Sequence, residues 1–299
     1  MIIPEKINIG DKIGIIATAR KISMNELIPA IETLESWGFN VVLGRFIFEE
    51  YNQFSGTVDQ RVFDLQRMID DHEIKAILCA RGGYGTVQII DKIDFSRLFR
   101  APKWIIGYSD ITVLHSHLNQ FGLATLHATM PINFSRNTEQ ALESLRNTLL
   151  GRESIIKIAS NRLNRLGKAE AEIVGGNLSI LYSLIGSKSD IETDKKILFL
   201  EDLDEYLYHI DRMVINMKRN GKFNNLKGMI IGGLRDMNDN DVSFGKTAEE
   251  IVLEHVKEYD FPICFGFPSG HLEDNRSILL GVNSVLEVKE NNVNLLQSL

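Results

Sequence analysis

Three polar residues stand at the ends of apolar runs, where strands of a parallel sheet would present them to a site. Ser109 follows the apolar run 103–108, Glu201 ends the run 197–200, and His271 lies among turn residues just past another apolar run. A histidine that removes a serine proton, oriented by a carboxylate, is the arrangement of nucleophilic acyl transfer. The three residues are far apart in sequence, so only folding could assemble such a triad.

Each of these residues also has an ordinary structural interpretation. Ser109 could cap the helix that follows it. Glu201 could be a solvated acid at a helix start, and His271 a solvated loop histidine. The G-x-S-x-G motif is not matched, because Ile111 stands where the second glycine is required, which disfavours an ordinary α/β-hydrolase. The residues by themselves leave both interpretations open.

A glycine-rich segment, Arg81-Gly82-Gly83-Tyr84-Gly85, follows the apolar run 74–80. Glycines at a strand end allow backbone N–H groups to face a ligand closely. The phosphate-binding patterns G-x-G-x-x-G and G-x-x-x-x-G-K-[ST] are both absent, which disfavours nucleotide binding. An oxyanion hole and a tight strand-to-helix turn are the remaining interpretations, and both can hold together.

Composition excludes several classes of protein. The net charge of −7 and the lack of a Lys/Arg run disfavour nucleic-acid binding. No stretch of about 18 apolar residues exists, so we expect no transmembrane helix. The first residues contain Glu5 and Asp11 and lack the pattern of a signal peptide, which predicts a cytoplasmic protein. Cys79 and Cys264 lie in apolar runs and are expected to be buried free thiols rather than a disulfide.

A metal centre is not expected. The H-E-x-x-H pattern and Cys/His clusters are absent from the sequence. His115 and His117 share a predicted helix, but residues two apart point to different faces of a helix and would not share a metal.

The elements that must position these residues alternate in the first half of the chain. Apolar runs predict strands, and apolar residues at helical spacing predict the helices between them, which together indicate a parallel sheet covered by helices. Predicted strands are 13–17, 40–43, 74–80, 103–108, 197–200 and 228–231, with others near 263, 278 and 285; predicted helices are 23–37, 58–69, 110–121, 210–217 and 248–255. The stretch 135–170 is polar with weak patterns, which predicts an N-terminal domain 1–160 and a smaller mixed α/β domain 161–299.

Seven short motifs occur together in order along nearly the whole chain, and with them the sequence resembles the LD-carboxypeptidases (muramoyltetrapeptide carboxypeptidases) and their microcin-immunity relatives. The motifs are Gly10-Asp11-Lys12-Ile13-Gly14-Ile15, Arg81-Gly82-Gly83-Tyr84-Gly85, Ile106-Gly107-Tyr108-Ser109-Asp110, Gly175-Gly176-Asn177-Leu178, Leu200-Glu201-Asp202, Ile210-Asp211-Arg212-Met213 and Pro268-Ser269-Gly270-His271.

The resemblance implies an active site between two α/β domains. It implies Ser109 as nucleophile, Glu201 as orienting acid and His271 as base, with an oxyanion hole formed by the N–H of Asp110 and of one glycine of the pair Gly82-Gly83. Arg81 and Asn177 are further candidates for substrate contacts. No cofactor or metal is implied. The implied substrate is a cytoplasmic muropeptide tetrapeptide, cleaved at the L,D-amide bond to its terminal D-alanine in peptidoglycan recycling, by an enzyme that forms homodimers.

Two segments depart from the family pattern and leave substrate detail open. His127-Ala128-Thr129-Met130 stands where His-Gly-Pro-Met is common, and Ala17-Thr18-Ala19-Arg20 where Ala-Pro-Ser is common. One alternative is a microcin-immunity-like peptidase that cleaves aminoacyl-adenylate analogues, which would need an aromatic platform; neither Trp37 nor Trp104 occupies a suitable place in the sequence. The other is a muropeptide-binding protein without catalysis.

Overall fold

Strands and helices alternate along most of the chain in the computed structural model, which describes residues 1–299. The strands are β1 (Lys12–Ile16), β2 (Asn40–Leu43), β3 (Ile74–Cys79), β4 (Trp104–Gly107), β5 (Thr125–His127), β6 (Ser154–Ala159), β7 (Gly167–Asn177), β8 (Ile197–Leu203), β9 (Gly228–Arg235), β10 (Ile263–Cys264), β11 (Ile278–Leu280), β12 (Asn283–Val288) and β13 (Asn292–Gln297). The helices are α1 (Met24–Ser36), α2 (Val58–Asp70), α3 (Thr112–Gln120), α4 (Glu139–Leu149), α5 (Leu178–Leu184), α6 (Leu207–Arg219) and α7 (Ala248–His255).

The first sheet has the strand order β11-β5-β4-β3-β1-β2. Strands β1 to β5 pair in parallel, and β11 adds to the edge strand β5 in the antiparallel sense. The carboxyl ends of β3 and β4 therefore meet at one edge of the sheet, which is where ligand sites form in open α/β sheets. The glycine segment and Ser109 follow these two strands directly.

The second sheet is mixed and has the order β10-β9-β8-β7-β12-β13-β6. Strands β7 to β10 are parallel, while β12, β13 and β6 extend β7 in the antiparallel sense. The α/β class, with a mostly parallel N-terminal sheet and a second mixed sheet, confirms the predicted fold. The two sheets do not divide the chain at one point, because β6 belongs to the second sheet and β11 to the first.

Buried apolar side chains cover both faces of each sheet. In the first sheet Leu78 and Ile106 face one cluster, and the alternate residues Ile77 and Ile105 face the other. This alternation makes the central strands apolar on both faces, as expected of a parallel sheet covered by helices. Both cysteines are free and buried, as predicted. No helix has the length and apolar character that a membrane crossing requires.

Several helices begin where side chains close a capping box. At α1, Ser23 accepts a hydrogen bond from the Glu26 N–H, and the Glu26 carboxylate accepts one from the Ser23 N–H. Thr57 and Gln60 form the same arrangement at α2. These boxes satisfy N–H groups that have no partner inside the helix, so they define where the helices start.

Candidate active site

Ser109 lies in a strained turn between strand β4 and helix α3. A short 3-10 segment, Ser109–Ile111, joins the two elements, and Ser109 has a φ of 62°. This left-handed conformation is uncommon for a residue with a side chain and occurs often at functional sites. The turn presents the serine at the carboxyl edge of the first sheet, as in a strand-to-helix nucleophile turn.

The glycine segment packs directly against this turn. An ideal Cβ built on Gly82 would lie 3.0 Å from Cβ of Ser109 and 3.4 Å from the backbone nitrogen of Asp110. Oδ2 of the buried Asp110 carboxyl accepts a hydrogen bond of 2.8 Å from the Thr86 N–H, which ties the segment to the turn. Burial raises the pKa of Asp110. A side chain at position 82 would press on Ser109, so glycine allows the two loops to approach this closely.

Backbone N–H groups beside Ser109 remain available as donors. The N–H groups of Gly82 and Gly83 donate no backbone hydrogen bond within the chain. The Asp110 N–H lies in the first turn of a helical segment, where no acceptor exists inside the helix. N–H groups without a partner near a serine are what an oxyanion hole requires.

Glu201 and His271 come from the second sheet and from the loop after β10, and they are paired. Nδ1 of His271 lies 2.7 Å from Oε2 of Glu201, whose side chain is fully buried. Glu201 stands where the β8–β9 pairing shifts register between Leu200 and Asp202. Such irregularities re-aim side chains near active sites. The carboxylate therefore fixes the orientation of an imidazole that is 15% exposed.

A glycine precedes His271 because a side chain at position 270 would collide with Glu201. Gly270 has a φ of +109°, and an ideal Cβ there would lie 2.7 Å from both Cβ and Oε2 of Glu201. Its N–H donates a hydrogen bond of 2.8 Å to Oδ1 of the buried Asn275. The missing side chain allows the histidine loop to lie on the carboxylate.

The pKa of His271 reflects two opposing effects. Burial lowers the pKa, but the charge of Glu201, its hydrogen bond to the ring and the charge of Asp202 outweigh it, and the result is above the usual value. Stabilisation of an imidazolium is what a base in acyl transfer requires after it takes a proton.

Tyr108 connects the two halves of the site, and apart from its place next to Ser109 no sequence pattern indicated this role. Its ring centroid lies 4.9 Å from that of His271 in an edge-to-face arrangement. The side chain is 5% exposed, and its hydroxyl accepts a hydrogen bond from Asn133. The structure thus brings Ser109, Glu201 and His271 to one region, but no hydrogen bond joins Ser109 to His271 in it.

Asp202 follows Glu201 in the chain, and the sequence analysis assigned it no role of its own. It is buried beside Glu201 and accepts hydrogen bonds from the Asn177 side chain and from the Ser179 and Leu203 N–H groups. Burial, followed by the charge of Glu201, raises its pKa to about 7. The Asn177 side chain caps α5, and its amide donates a hydrogen bond to Oδ1 of Asp202.

The remaining candidates lie around the same edge. Nη1 of Arg81 donates a hydrogen bond of 3.0 Å to the Lys21 carbonyl. His127 is fully buried against Tyr108 and Phe199, and burial holds its pKa well below the usual value. His115 bonds the Gly107 carbonyl on another side of α3. No group of three or more His, Cys, Asp and Glu side chains is arranged to hold a metal ion.

Comparison with known families assigns the fold and its two parts. Residues 13–128 match the LD-carboxypeptidase N-terminal domain, and residues 170–286 match the LD-carboxypeptidase C-terminal domain. The chain belongs to the LD-carboxypeptidase family. This confirms the resemblance drawn from the motifs, and it makes the protein a hydrolase of the peptidase type.

Curated LD-carboxypeptidase relatives match almost end to end. A probable murein peptide carboxypeptidase of Bacillus subtilis (strain 168) is 34% identical over 96% of this chain and 92% of its own length. The murein tetrapeptide carboxypeptidase of Pseudomonas aeruginosa is 30% identical over 93% of this chain and 94% of its own length.

Solved structures of LD-carboxypeptidase-like proteins share the fold. The muramoyltetrapeptide carboxypeptidase from Oxalobacter formigenes superposes with a TM-score of 0.89 at 24% identity, covering 96% of this chain and 98% of that one. The microcin C7 self-immunity protein MccF superposes with a TM-score of 0.87 at 22% identity, covering 98% and 97%. A protein named as a carboxypeptidase and one named as a microcin-immunity protein therefore share this architecture, so the fold alone does not distinguish their activities.

Proposed function

We propose that this protein is a serine-type LD-carboxypeptidase that hydrolyses the L,D-amide bond to the terminal D-alanine of a murein tetrapeptide. The observation that carries the proposal is the buried Glu201–His271 pair, which lies beside the strained Ser109 turn and its free N–H donors. The names of the two curated relatives support murein peptides as substrates.

The proposed chemistry is acyl transfer through a covalent intermediate. His271 accepts the proton of the Ser109 hydroxyl while Oγ bonds to the scissile carbonyl carbon. The carbonyl oxygen becomes an oxyanion that accepts hydrogen bonds from the N–H of Asp110 and of Gly82 or Gly83. The C–N bond then breaks, His271 protonates the leaving amine of D-alanine, and water hydrolyses the ester by the same steps in reverse.

Substrate discrimination tests the proposal. We expect release of free D-alanine from an L-Ala-D-Glu-X-D-Ala tetrapeptide, and no release from the pentapeptide or from the tetrapeptide that ends in L-alanine. An inverted last residue would misplace its carboxylate, and a misplacement of about 1 Å can cost roughly 100-fold in rate. Mass spectrometry of the incubated peptides, with the Ser109→Ala protein as control, measures this.

The same assay separates the other activities of this architecture. An aminoacyl-adenylate analogue is offered in competition with the tetrapeptide. Trp104 is 1% exposed within the first sheet and Trp37 packs against Phe134, so neither tryptophan offers an open platform for a nucleobase. Cleavage of the analogue alone would replace the carboxypeptidase assignment by a microcin-immunity type, and tight tetrapeptide binding without turnover would indicate a binding protein.

A cytoplasmic role in peptidoglycan recycling and a homodimeric state belong to the same proposal. They rest on the family resemblance of the motifs. Light scattering of the purified protein measures the oligomeric state, and fractionation of cells measures the location.

A further inference from the structure

Arg20 lies over the glycine segment, next to the proposed nucleophile. An ideal Cβ at Gly83 would overlap Cγ and Cδ of Arg20, so the arginine stem crosses directly above this residue. The preceding residue, Gly82, packs on Ser109, and an ideal Cβ there would lie 3.1 Å from Oγ. Arg20 and Ser109 therefore contact consecutive residues of the same glycine segment.

The guanidinium of Arg20 has no partner of its own. The side chain is exposed, and it forms neither an ion pair nor a side-chain hydrogen bond, whereas the neighbouring Lys21 pairs with Glu50 at 2.5 Å. An arginine that supports structure usually donates to carbonyls or carboxylates, as the buried Arg61 does to the carbonyls of Thr18 and Gly85. Arg20 is therefore a free bidentate donor at the rim of the site.

Arg81 holds this rim in place and adds positive charge. Its Nη1 donates to the carbonyl of Lys21, the residue after Arg20, while its Nε is buried without an acceptor. Glu26, an acid whose charge acts on Arg81, is already engaged by the N–H and hydroxyl of Ser23. The field of the two arginines is thus not neutralised by an ion pair and favours an anionic ligand.

The scissile bond of a carboxypeptidase substrate fits this charge. The terminal carboxylate is separated from the scissile amide nitrogen by a single Cα, so it lies within a few Å of the carbonyl that Ser109 attacks. We propose that Arg20 binds the terminal carboxylate of the leaving residue, and that Arg81 positions the segment carrying it. The proposal rests on the proposed function and names the group that restricts it to chain ends.

Arg20 belongs to the segment Ala17-Thr18-Ala19-Arg20, which departs from the common family sequence. A planar guanidinium matches a carboxylate with two parallel hydrogen bonds, which an ammonium group does not reproduce. We therefore expect Arg20→Lys to restore only part of the recognition lost in Arg20→Gln.

The test compares two substrates that differ only at this group, the tetrapeptide with a free terminal carboxylate and the same tetrapeptide as its terminal D-alaninamide. For the Arg20→Gln protein we expect kcat/KM on the acid to fall roughly 10- to 100-fold, mainly through KM, with the amide little changed. Lys21→Gln is the matched control. It also removes one positive charge, at the next residue, but from a side chain that is already paired with Glu50. It is expected to keep the preference of the wild type for the acid.

Two other outcomes overturn the inference and are distinguishable. If the wild-type protein prefers the acid and Arg20→Gln keeps that preference, Arg20 does not bind the carboxylate while the proposed function stands. If the wild-type protein releases neither D-alanine from the acid nor D-alaninamide from the amide, the proposed function fails and the inference fails with it.

Discussion

Nδ1 of His271 lies 2.7 Å from Oε2 of Glu201, a carboxylate with no exposed surface. The ring nitrogen on the carboxylate side is therefore the proton donor, and Nε2 is left as the atom that can accept a proton from a nucleophile. The pair is contributed entirely by the second sheet and its loops, while Ser109 comes from the first. The predictions below test this division of roles.

Replacing Ser109 by alanine removes the proposed nucleophile and leaves the N–H donors in place. We expect the rate of D-alanine release to fall on the order of 10⁴-fold or more. The unfolding midpoint stays at or above the wild-type value, since the left-handed φ of 62° is strained for either residue. Single-turnover kinetics and thermal unfolding measure the two effects, and a variant within tenfold of the wild-type rate would remove Ser109 from the mechanism.

The pH dependence follows from the raised pKa of His271. Only the neutral ring accepts the serine proton, so kcat/KM is expected to decline on acidification through that pKa. The midpoint of the decline is expected above 6.5, the ordinary histidine value. A profile that stays flat through this region would show that no histidine acts as base.

Glu201→Gln tests whether Glu201 sets the midpoint of this pH profile. It keeps the size of the side chain and removes the charge that raises the pKa of His271, so the midpoint should move to lower pH. The plateau rate should fall about 10²- to 10⁴-fold, because the imidazolium loses its stabilising anion. Equal midpoints for the two proteins would mean that Glu201 does not act through His271.

Gly82→Ala tests the close approach of the glycine segment. Its methyl group would press on Ser109 at about 3.0 Å and displace the hydroxyl by a few tenths of an ångström. We expect kcat to fall roughly 10- to 100-fold with little loss of stability, since position 82 has no left-handed φ. Gly186→Ala is the control for kcat: its methyl group meets no atom within 4 Å, so kcat should stay at the wild-type value, although its left-handed φ of +82° will lower the stability. Equal kcat values in both variants would show that Ser109 tolerates the displacement.

Arg61→Met tests how the loop after β1, which contains Thr18, is held to the glycine segment. Nη1 of Arg61 donates to the carbonyls of Thr18 and Gly85 at 2.8 and 2.9 Å. Losing these bonds leaves buried acceptors unpaired, at a cost of roughly 2–4 kcal/mol in the free energy of unfolding. Arg67→Met, on the exposed face of the same helix, should change it by less than about 0.5 kcal/mol. Urea denaturation of both proteins measures the difference, and equal effects would contradict a bracing role for Arg61.

Buried parallel strands were predictable because their composition is nearly uniform. The runs that became β1, β3 and β4 are apolar on both faces, and the helices between them carry regular apolar spacing and caps. The stretch 135–170, in which the sequence shows only weak strand or helix patterns, contains α4 and β6. Strand β6 lies at a sheet edge with exposed Ile155 and Lys157, so its alternation is obscured and its partner β13 is far away in sequence.

The site was predictable only in part, and for a similar reason. Motifs indicated Ser109, Glu201 and His271 as candidates, but no local pattern reports that Tyr108 contacts His271 or that Arg20 crosses Gly83. Such contacts depend on how distant loops pack at the carboxyl edges of two sheets. Loops at these edges have no periodicity from which orientation could be derived.

Strand β11 has a mechanical consequence for the whole molecule. It follows the His271 loop, pairs with β5 of the first sheet, and is succeeded by Gly281, whose N–H bonds the Ile173 carbonyl of β7 in the second. A hinge motion that separated the two sheets would break the backbone hydrogen bonds that this segment forms with each of them. We therefore expect the two sheets to move as one unit, with any opening of the site arising in its loops.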